Sequence, residues 1–415
     1  MRSDFNVIAF GLAVAGFAAY QQFKLPVVLP VLLDHYHYDR FLAGSFMSVY
    51  ALIGLLLSLK LGSLIKRRGV VVLIQVGLAL FVGGAGLTLV FPEFGWIVLL
   101  ARSLEGLGFA VIAIGGPVLA NSNAAPRHLP IVVGLTAAWI PVGQLIAALL
   151  APLALASLGW QLLWWISIAG SFVFAAWAAS LRRLDRSSTA RGTPAEPLNG
   201  RRDKAPPPAA MTPAQRRVLV TTGAIFMLWS CQYFAYMTWL PQYLVEVHAL
   251  EVSDALLGYV VPVSLVIVCS TITGFLLRAG RSLGWLMSVA LFAQVVVWWT
   301  MPWIQSPGLG LLSLVVYGCA GGVIPSCLFA APSRAMQSGR NTAQAFGIVM
   351  TGRNMGVLVG PVLLAQAYKV TGVWDHASLI FSVITALCLP LAFVLAAKLP
   401  GRPFRATSAK RGRLG

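Results

Sequence analysis

Four ionisable residues interrupt long apolar runs: Lys24, Arg102, Glu105 and Arg353. Arg353 stands in the run 346–365, FGIVMTGRNMGVLVGPVLLA. A helix entering a bilayer near Thr342 would carry it ~16 Å inward, roughly halfway across a hydrocarbon core of ~30 Å. An arginine at that depth costs about 2.5–3.5 kcal/mol and faces a bundle interior or a water-filled cavity. Lys24 lies about nine residues, or ~14 Å, from the far end of the first apolar run, between Pro26 and the polar pair Gln21 and Gln22, and so reaches a similar depth. Two cations facing one cavity repel each other unless an anion stands between them, so Lys24, Arg353 and the neighbouring Gln21 are expected to bind a small anionic substrate. The alternative for Lys24 is a side chain that snorkels outward and leaves the cavity to Arg353.

Arg102 and Glu105 are spaced i, i+3 and share a helix face. Burial disfavours the charged carboxyl and the adjacent guanidinium favours it, the balance a proton-coupling site requires. The same spacing also suits a permanent ion pair that fixes helix packing. Tyr233, Tyr236 and Trp239 form a stripe at i, i+3, i+6, and either wall a binding cavity through Tyr236 and Trp239 or serve as packing. Tyr317 is a further candidate contact, and His35 and His37 read as solvated residues at the end of the first run. The five cysteines lie in apolar segments without C-x-x-C spacing or ligand-spaced histidines. They read as packing residues, and neither a metal nor a cofactor is expected.

The elements that must position these groups follow from composition. Of 415 residues, 58% are hydrophobic and 10% charged, and the mean hydropathy is +0.82, outside the range of soluble globular chains. Apolar windows give twelve expected spans: 5–33, 41–60, 70–91, 95–119, 130–155, 159–181, 218–245, 254–277, 282–304, 308–332, 342–368 and 375–397. The first is too long for the core of a cleavable signal and reads as an uncleaved span. Between the sixth and seventh, 182–217 is rich in Pro, Ala and charge without apolar periodicity, a linker that need not fold.

With the N-terminus placed inside, 25 of the 30 basic residues fall on the linker side, and only Arg40 and Lys369 fall opposite, among seven acidic residues. Both termini and the linker are therefore expected to be cytoplasmic in a multi-pass protein of the inner membrane. The net charge of +18 follows from topology, so no nucleic-acid partner is expected. An internal repeat is also visible. Phe23-Lys24-Leu25-Pro26 matches Thr238-Trp239-Leu240-Pro241 at an offset of 215, Gly44 matches Gly258 at 214, and Gly108, Gly134 and Gly143 match Gly321, Gly347 and Gly356 at 213. Two six-span halves follow, 1–181 and 218–397, separated by the linker and closed by a basic tail at 398–415. Such a layout places a site between the halves near the midplane. Gly347, Gly356, Gly360 and Pro361 mark a helix-packing ridge.

These features together resemble the major facilitator superfamily along the whole chain. Gly62-Ser-Leu-Ile-Lys66-Arg67-Arg68-Gly69 looks like the family's G-x-x-x-D-R/K-x-G conformational loop, with Lys66 in the acidic position. Arg102-x-x-x-Gly106-x-Gly108 is similar to the family's fourth-span motif, whose arginine is associated with proton coupling. The G-x8-G-x3-G-P spacing of family antiporters occurs at Gly347 to Pro361, in the eleventh span instead of the fifth. Trp239-Leu-Pro-Gln-Tyr-Leu resembles the cyanate and nitroimidazole permease branch, whose substrates are small anions or small polar heterocycles. The resemblance implies an all-α integral membrane protein of twelve transmembrane helices in two pseudo-symmetric bundles; a monomer is expected, and without a D-x-D, a paired His and Asp or a long catalytic loop no enzyme is expected. The protein would move a small anion or small polar solute by alternating access, with protons as a candidate coupling ion. The rivals are a proton-driven exporter of hydrophobic drugs and, from another class, a polytopic membrane enzyme or sensor.

Overall fold

Each apolar segment becomes a helix, because only a helix satisfies its own backbone hydrogen bonds in lipid without closing a barrel. The structure is a computed structural model that describes residues 3–125, 128, 132, 135–136, 138–190, 211–304, 306–336 and 342–399, apart from the side chains of 57–67, 182–190, 333, 342–344 and 346. Among the described residues there is no strand. The first half contains α1 (Phe5–Phe23), α2 (Leu29–Tyr36), α3 (Arg40–Arg68), α4 (Val70–Val90), α5 (Gly95–Ser122), α6 (Trp139–Ser157) and α7 (Gln161–Ala190). The second contains α8 (Pro213–His248), α9 (Val252–Arg278), α10 (Leu283–Thr300), α11 (Pro307–Ala335), α12 (Thr342–Thr371), α13 (Trp374–Ala386) and α14 (Cys388–Lys398). α1 and α2 form one span broken in the middle, and α13 and α14 share the last. Large apolar side chains such as Phe172, Leu257, Trp285 and Phe292 remain exposed on the outside of the bundle. Lipid, not water, is the solvent that suits such a surface, and the chain is a multi-pass membrane protein.

Several boundaries differ from the sequence reading, among them the start of the fifth span, expected at 130, where α6 begins at Trp139. Helix runs into both ends of the expected linker: α7 continues to Ala190, and α8 begins at Pro213. At the second end Thr212 accepts from the Gln215 backbone N–H while the Gln215 side chain accepts from Thr212, a capping box with Pro213 in the first turn. Residues 191–210 lie outside the described residues. The expected conformational loop is likewise helical to Arg68, and only Gly69, at φ +84°, turns the chain into α4. The side chains at Lys66 and Arg67, like position 62, where Gly62 stands, lie outside the described residues.

Within the halves, α1 packs on α5 and α6, α4 on α5 and α7, α8 on α12, and α9 on α11. The α8–α12 contact is backbone against backbone. A Cβ on Gly352, Gly356 or Gly360 would run into the main chain at Gly223, Met227 or Cys231 respectively. Gly143 is held in the same way against Gly16, Ala19 and Tyr20, whose counterparts at Gly356 are Met227, Ser230 and Cys231, each 211 positions on. The internal repeat is thus a repeat of packing. Gly347 departs from it: nothing stands within 4 Å of a Cβ there, so this glycine is not part of the close-packed ridge. Its first-half counterpart Gly134 lies outside the described residues.

The halves meet along α3 with α12, along α6 with α9, and where the end of the first span touches α8. Ion pairs between them gather on the face opposite the linker. Arg40 Nη2 lies 2.5 Å from Glu246 Oε1, and Lys369 Nζ lies 3.2 Å from Asp39 Oδ2. The two basic residues that the charge count left off the linker face are therefore both bridges between halves.

Candidate functional site

The site starts from a missing hydrogen. Pro26 has no N–H, so the Gln22 carbonyl four residues earlier loses its helical partner, and α1 stops at Phe23 before a 3₁₀ turn over Pro26–Val28. Arg102 fills the gap from α5. Its Nη2 donates to the Gln22 carbonyl at 2.9 Å, Nη1 to the Gln21 carbonyl at 2.9 Å, and Nε to the Phe46 carbonyl at 3.3 Å. The counterpart Pro241 does not break α8, which runs on to His248. At the repeat offset of Gly108 and Gly321, Val315 stands where Arg102 would be, so that position of the second half offers no guanidinium.

Glu105, one turn along α5, accepts from Arg102 Nη1 at 2.6 Å, from Tyr50 Oη at 2.9 Å and from Lys24 Nζ at 2.8 Å. Lys24 also donates to Gln21 Oε1 at 2.8 Å and Ser167 Oγ at 2.9 Å, with its ammonium 4.8 Å from the centre of the Trp164 ring. Lys24, Arg102 and Glu105 are all fully buried. This sets aside the snorkelling alternative for Lys24 and adds a partner to it. It does not snorkel outward, and the negative charge beside it comes from the chain itself. Spacing along α5 revealed the Arg102–Glu105 pair, whereas the Lys24–Glu105 pair spans 81 positions and had no local signal.

Arg353 is the opposite case. Its Nη1 donates to Asn354 Oδ1 at 3.0 Å, its guanidinium carbon lies 5.1 Å from the centre of the Phe234 ring, and Nη2 has no partner among the described residues. It is 6% exposed. Among the described residues no carboxylate pairs with it. Phe234 in turn stacks on Phe23 of the other half with ring centres 6.0 Å apart. Lys24 follows Phe23 in the chain, so the two cations flank one aromatic contact across the interface.

The aromatic stripe of α8 is wholly buried. Tyr236 stacks on Tyr317 at 3.9 Å and meets Trp298 edge-on, while Trp239 Nε1 donates to the Pro361 carbonyl at 3.0 Å. Tyr236 and Trp239 do line a void together with Trp298 and Trp374, but it measures only about 10 Å³, room for at most one water. In this conformation these rings are packing within the second half. Tyr317 donates to Gln232 Oε1 at 2.8 Å, within a buried amide pair in which Gln232 donates to Gln294.

Sequence reasoning passed over Gln144, Trp164, Ser167 and Tyr50. Gln144 donates to Tyr259 at 2.8 Å and receives a 3.5 Å contact from Tyr233, a polar bridge between the halves. A glutamine beside Gly143 in an apolar span was the available signal. Trp164 Nε1 and Gln21 Nε2 are buried donors without an acceptor among the described residues.

The family profile described as Major Facilitator Superfamily matches residues 8–343. A candidate metabolite transport protein of Haemophilus influenzae is 26% identical over 344 residues, covering 79% of this chain and 81% of its own. Among solved structures, a bacterial homologue of the human lysosomal transporter Spinster, inward-facing and occupied, aligns with a TM-score of 0.71 and 15% identity over 94% of this chain and 96% of its own. The inward-facing, unoccupied form of that homologue aligns with a TM-score of 0.72 and 14% identity, over 95% and 97%.

Proposed function

The chain belongs to the major facilitator superfamily, and from that premise we propose that it is a secondary transporter of a small anion, with Arg353 as the anchor. Its relatives are transporters and not enzymes. One observation carries the choice of an anion: Arg353 is a buried guanidinium with an unpartnered nitrogen and no carboxylate beside it among the described residues. A buried charge held this way is costly. A ligand carboxylate or similar group can accept from Nη2 and neutralise the charge at once. Gln21 Nε2, Trp164 Nε1 and Gln294 Nε2 are further buried donors without a partner among the described residues, beside unpartnered oxygens such as Gln22 Oε1 and Gln242 Oε1, and the donors suit an acceptor-rich ligand.

Alternating access on this reading is a rocking of the halves about Phe23, Phe234 and the Gln144 bridge. The ion pairs on the face opposite the linker hold that side shut, the arrangement that the inward-facing neighbours lead one to expect. Arg102 braces the broken first span, which leaves Glu105 as the carboxylate open to proton exchange. The test is uptake of small anions into proteoliposomes. Arg353→Ala should abolish saturable uptake, and Arg353→Lys should retain a weakened form of it. Unchanged half-saturation in Arg353→Ala would remove the anion site from the account.

A further inference from the structure

Each half carries one excess positive charge in its interior. In the first half Lys24 and Arg102 face the single carboxylate Glu105, all at 0% exposure; in the second, Arg353 stands alone at 6%. These are the only charged side chains among the buried described residues. The repeat does not duplicate them: Trp239 stands opposite Lys24 at the offset of the Pro26 match, and Val315, Gly318 and Ile140 stand opposite Arg102, Glu105 and Arg353 at 213. The two excess charges thus stand on different helices in different halves, and the halves touch where Phe234, beneath the Arg353 guanidinium, stacks on Phe23, the residue before Lys24.

Each pole also has donors to spare. In the first half, Lys24 fixes the orientation of the Gln21 amide, because an ammonium can only donate and therefore holds Oε1. Gln21 Nε2 must then point away from the ammonium, and it finds no acceptor among the described residues; neither does Nε1 of Trp164, whose ring centre lies 4.8 Å from the same ammonium. In the second half the spare donor is Arg353 Nη2. A monoanion on Arg353 leaves the first pole uncompensated, and a neutral solute leaves both.

We propose that the substrate is a small dianion, such as a short dicarboxylate, with one charged group taken by Arg353 and the other by the Gln21–Trp164 donors beside the Lys24–Glu105–Arg102 cluster. This rests on the anion reading above and adds the second charge to it. One ligand would neutralise both halves only when they come together around it. That gives the dianion a stake in the occluded state that a monoanion lacks.

The experiment compares dicarboxylates from malonate to adipate with their monoamides, which match them in size and lack one charge. Binding is read by thermal shift and transport by proteoliposome uptake. In the wild type at least one dicarboxylate should bind about tenfold or more tighter than its monoamide. Lys24→Gln sets the first half to zero net charge and should bring that ratio close to one. The double variant Lys24→Gln with Glu105→Gln leaves Arg102 alone and restores the single positive charge, so the preference should return. Should Lys24→Gln fail to fold, the wild-type ratio and the double variant still decide the matter. A wild type that binds monoamides as well as dicarboxylates overturns the second pole. If Arg353→Ala then abolishes both, the single-anion reading stands without it. A double variant that behaves like Lys24→Gln overturns the charge argument. If neither series binds, the dianion is overturned, and the anion reading is decided separately by the effect of Arg353→Ala on small-anion uptake.

Discussion

Arg40 Nη2 lies 2.5 Å from Glu246 Oε1, joining the first turn of α3 in one half to the last turn of α8 in the other. The pair is embedded in further contacts. Arg40 lies 4.1 Å from the centre of the Tyr368 ring, and Glu246 also accepts from Gln242 at 2.6 Å and from Trp374 at 3.0 Å. A partly exposed ion pair alone contributes only about 0.2–1 kcal/mol. Glu246→Gln should therefore raise the population open on this face by roughly 1.4- to 5-fold, measured as alkylation of a cysteine placed behind the pair. The exchange Arg40→Glu with Glu246→Arg should restore closure; if it does not, the contact is incidental to gating.

Asp39 makes the same face sensitive to acid. Slight burial pushes its carboxyl up, but hydrogen bonds from Lys369 and the Leu42 and Phe41 backbone N–H groups, together with the Lys369 charge, outweigh it and hold the carboxyl below its ordinary value. A carboxyl depressed in the closed arrangement binds protons better once that arrangement opens. Its contribution to closure is thus fully present above the ordinary aspartate range and is lost as pH falls through the depressed value. Acidification into and below that range should increase labelling on this face in the wild type. Asp39→Asn should remove the Asp39 part of that rise, and an unchanged pH profile in this variant would refute the assignment.

How far the sequence was legible depended on the range of each interaction. Apolar runs and loop charges act locally, so the spans, the two halves and the anomaly of Arg353 could all be read. The Arg102–Glu105 pair lies on one helix and was legible for the same reason. The Lys24–Glu105 pair was not legible, because Glu105 reaches Lys24 from another helix. The fate of Pro26 was hidden too: the identical Leu-Pro in α8 leaves its helix intact, and the difference lies in Arg102, 76 positions away in the sequence. Tyr236 and Trp239 show the converse, since a period that suits a cavity wall also suits the packing they provide here.

The glycines of α12 separate close packing from mere composition. Gly356 has Met227 and Cys231 main chain where a Cβ would go, whereas the space beside Gly347 is open. Gly356→Val should push α12 off α8 and destabilise the protein by about 1–3 kcal/mol or more, since backbone yields less readily than side chains. Gly347→Ala should be neutral or stabilise by up to ~1 kcal/mol through helix propensity. Thermal unfolding in detergent reads both, and equal losses at the two positions would contradict the packing account.

Arg102 permits a test of brace against proton carrier. Its guanidinium donates to three backbone carbonyls and one carboxylate at once, a geometry that an ammonium cannot reproduce. Arg102→Lys should therefore cost about 3–5 kcal/mol, the scale for breaking a buried charged network. Tyr50→Phe, which removes one hydroxyl donor from Glu105, should cost about 1.5–3 kcal/mol. The decisive variant is Pro26→Ala. It returns an N–H to position 26, so the Gln22 carbonyl can regain a helical partner and Arg102 becomes less necessary. In a double-mutant cycle, Arg102→Lys should be less damaging in the Pro26→Ala background by roughly 1 kcal/mol. A proton carrier predicts otherwise: Arg102→Lys would leave stability nearly intact, change substrate-driven proton flux in proteoliposomes, and show no coupling to position 26. The cycle separates the two because only a brace depends on which carbonyls the proline has left free.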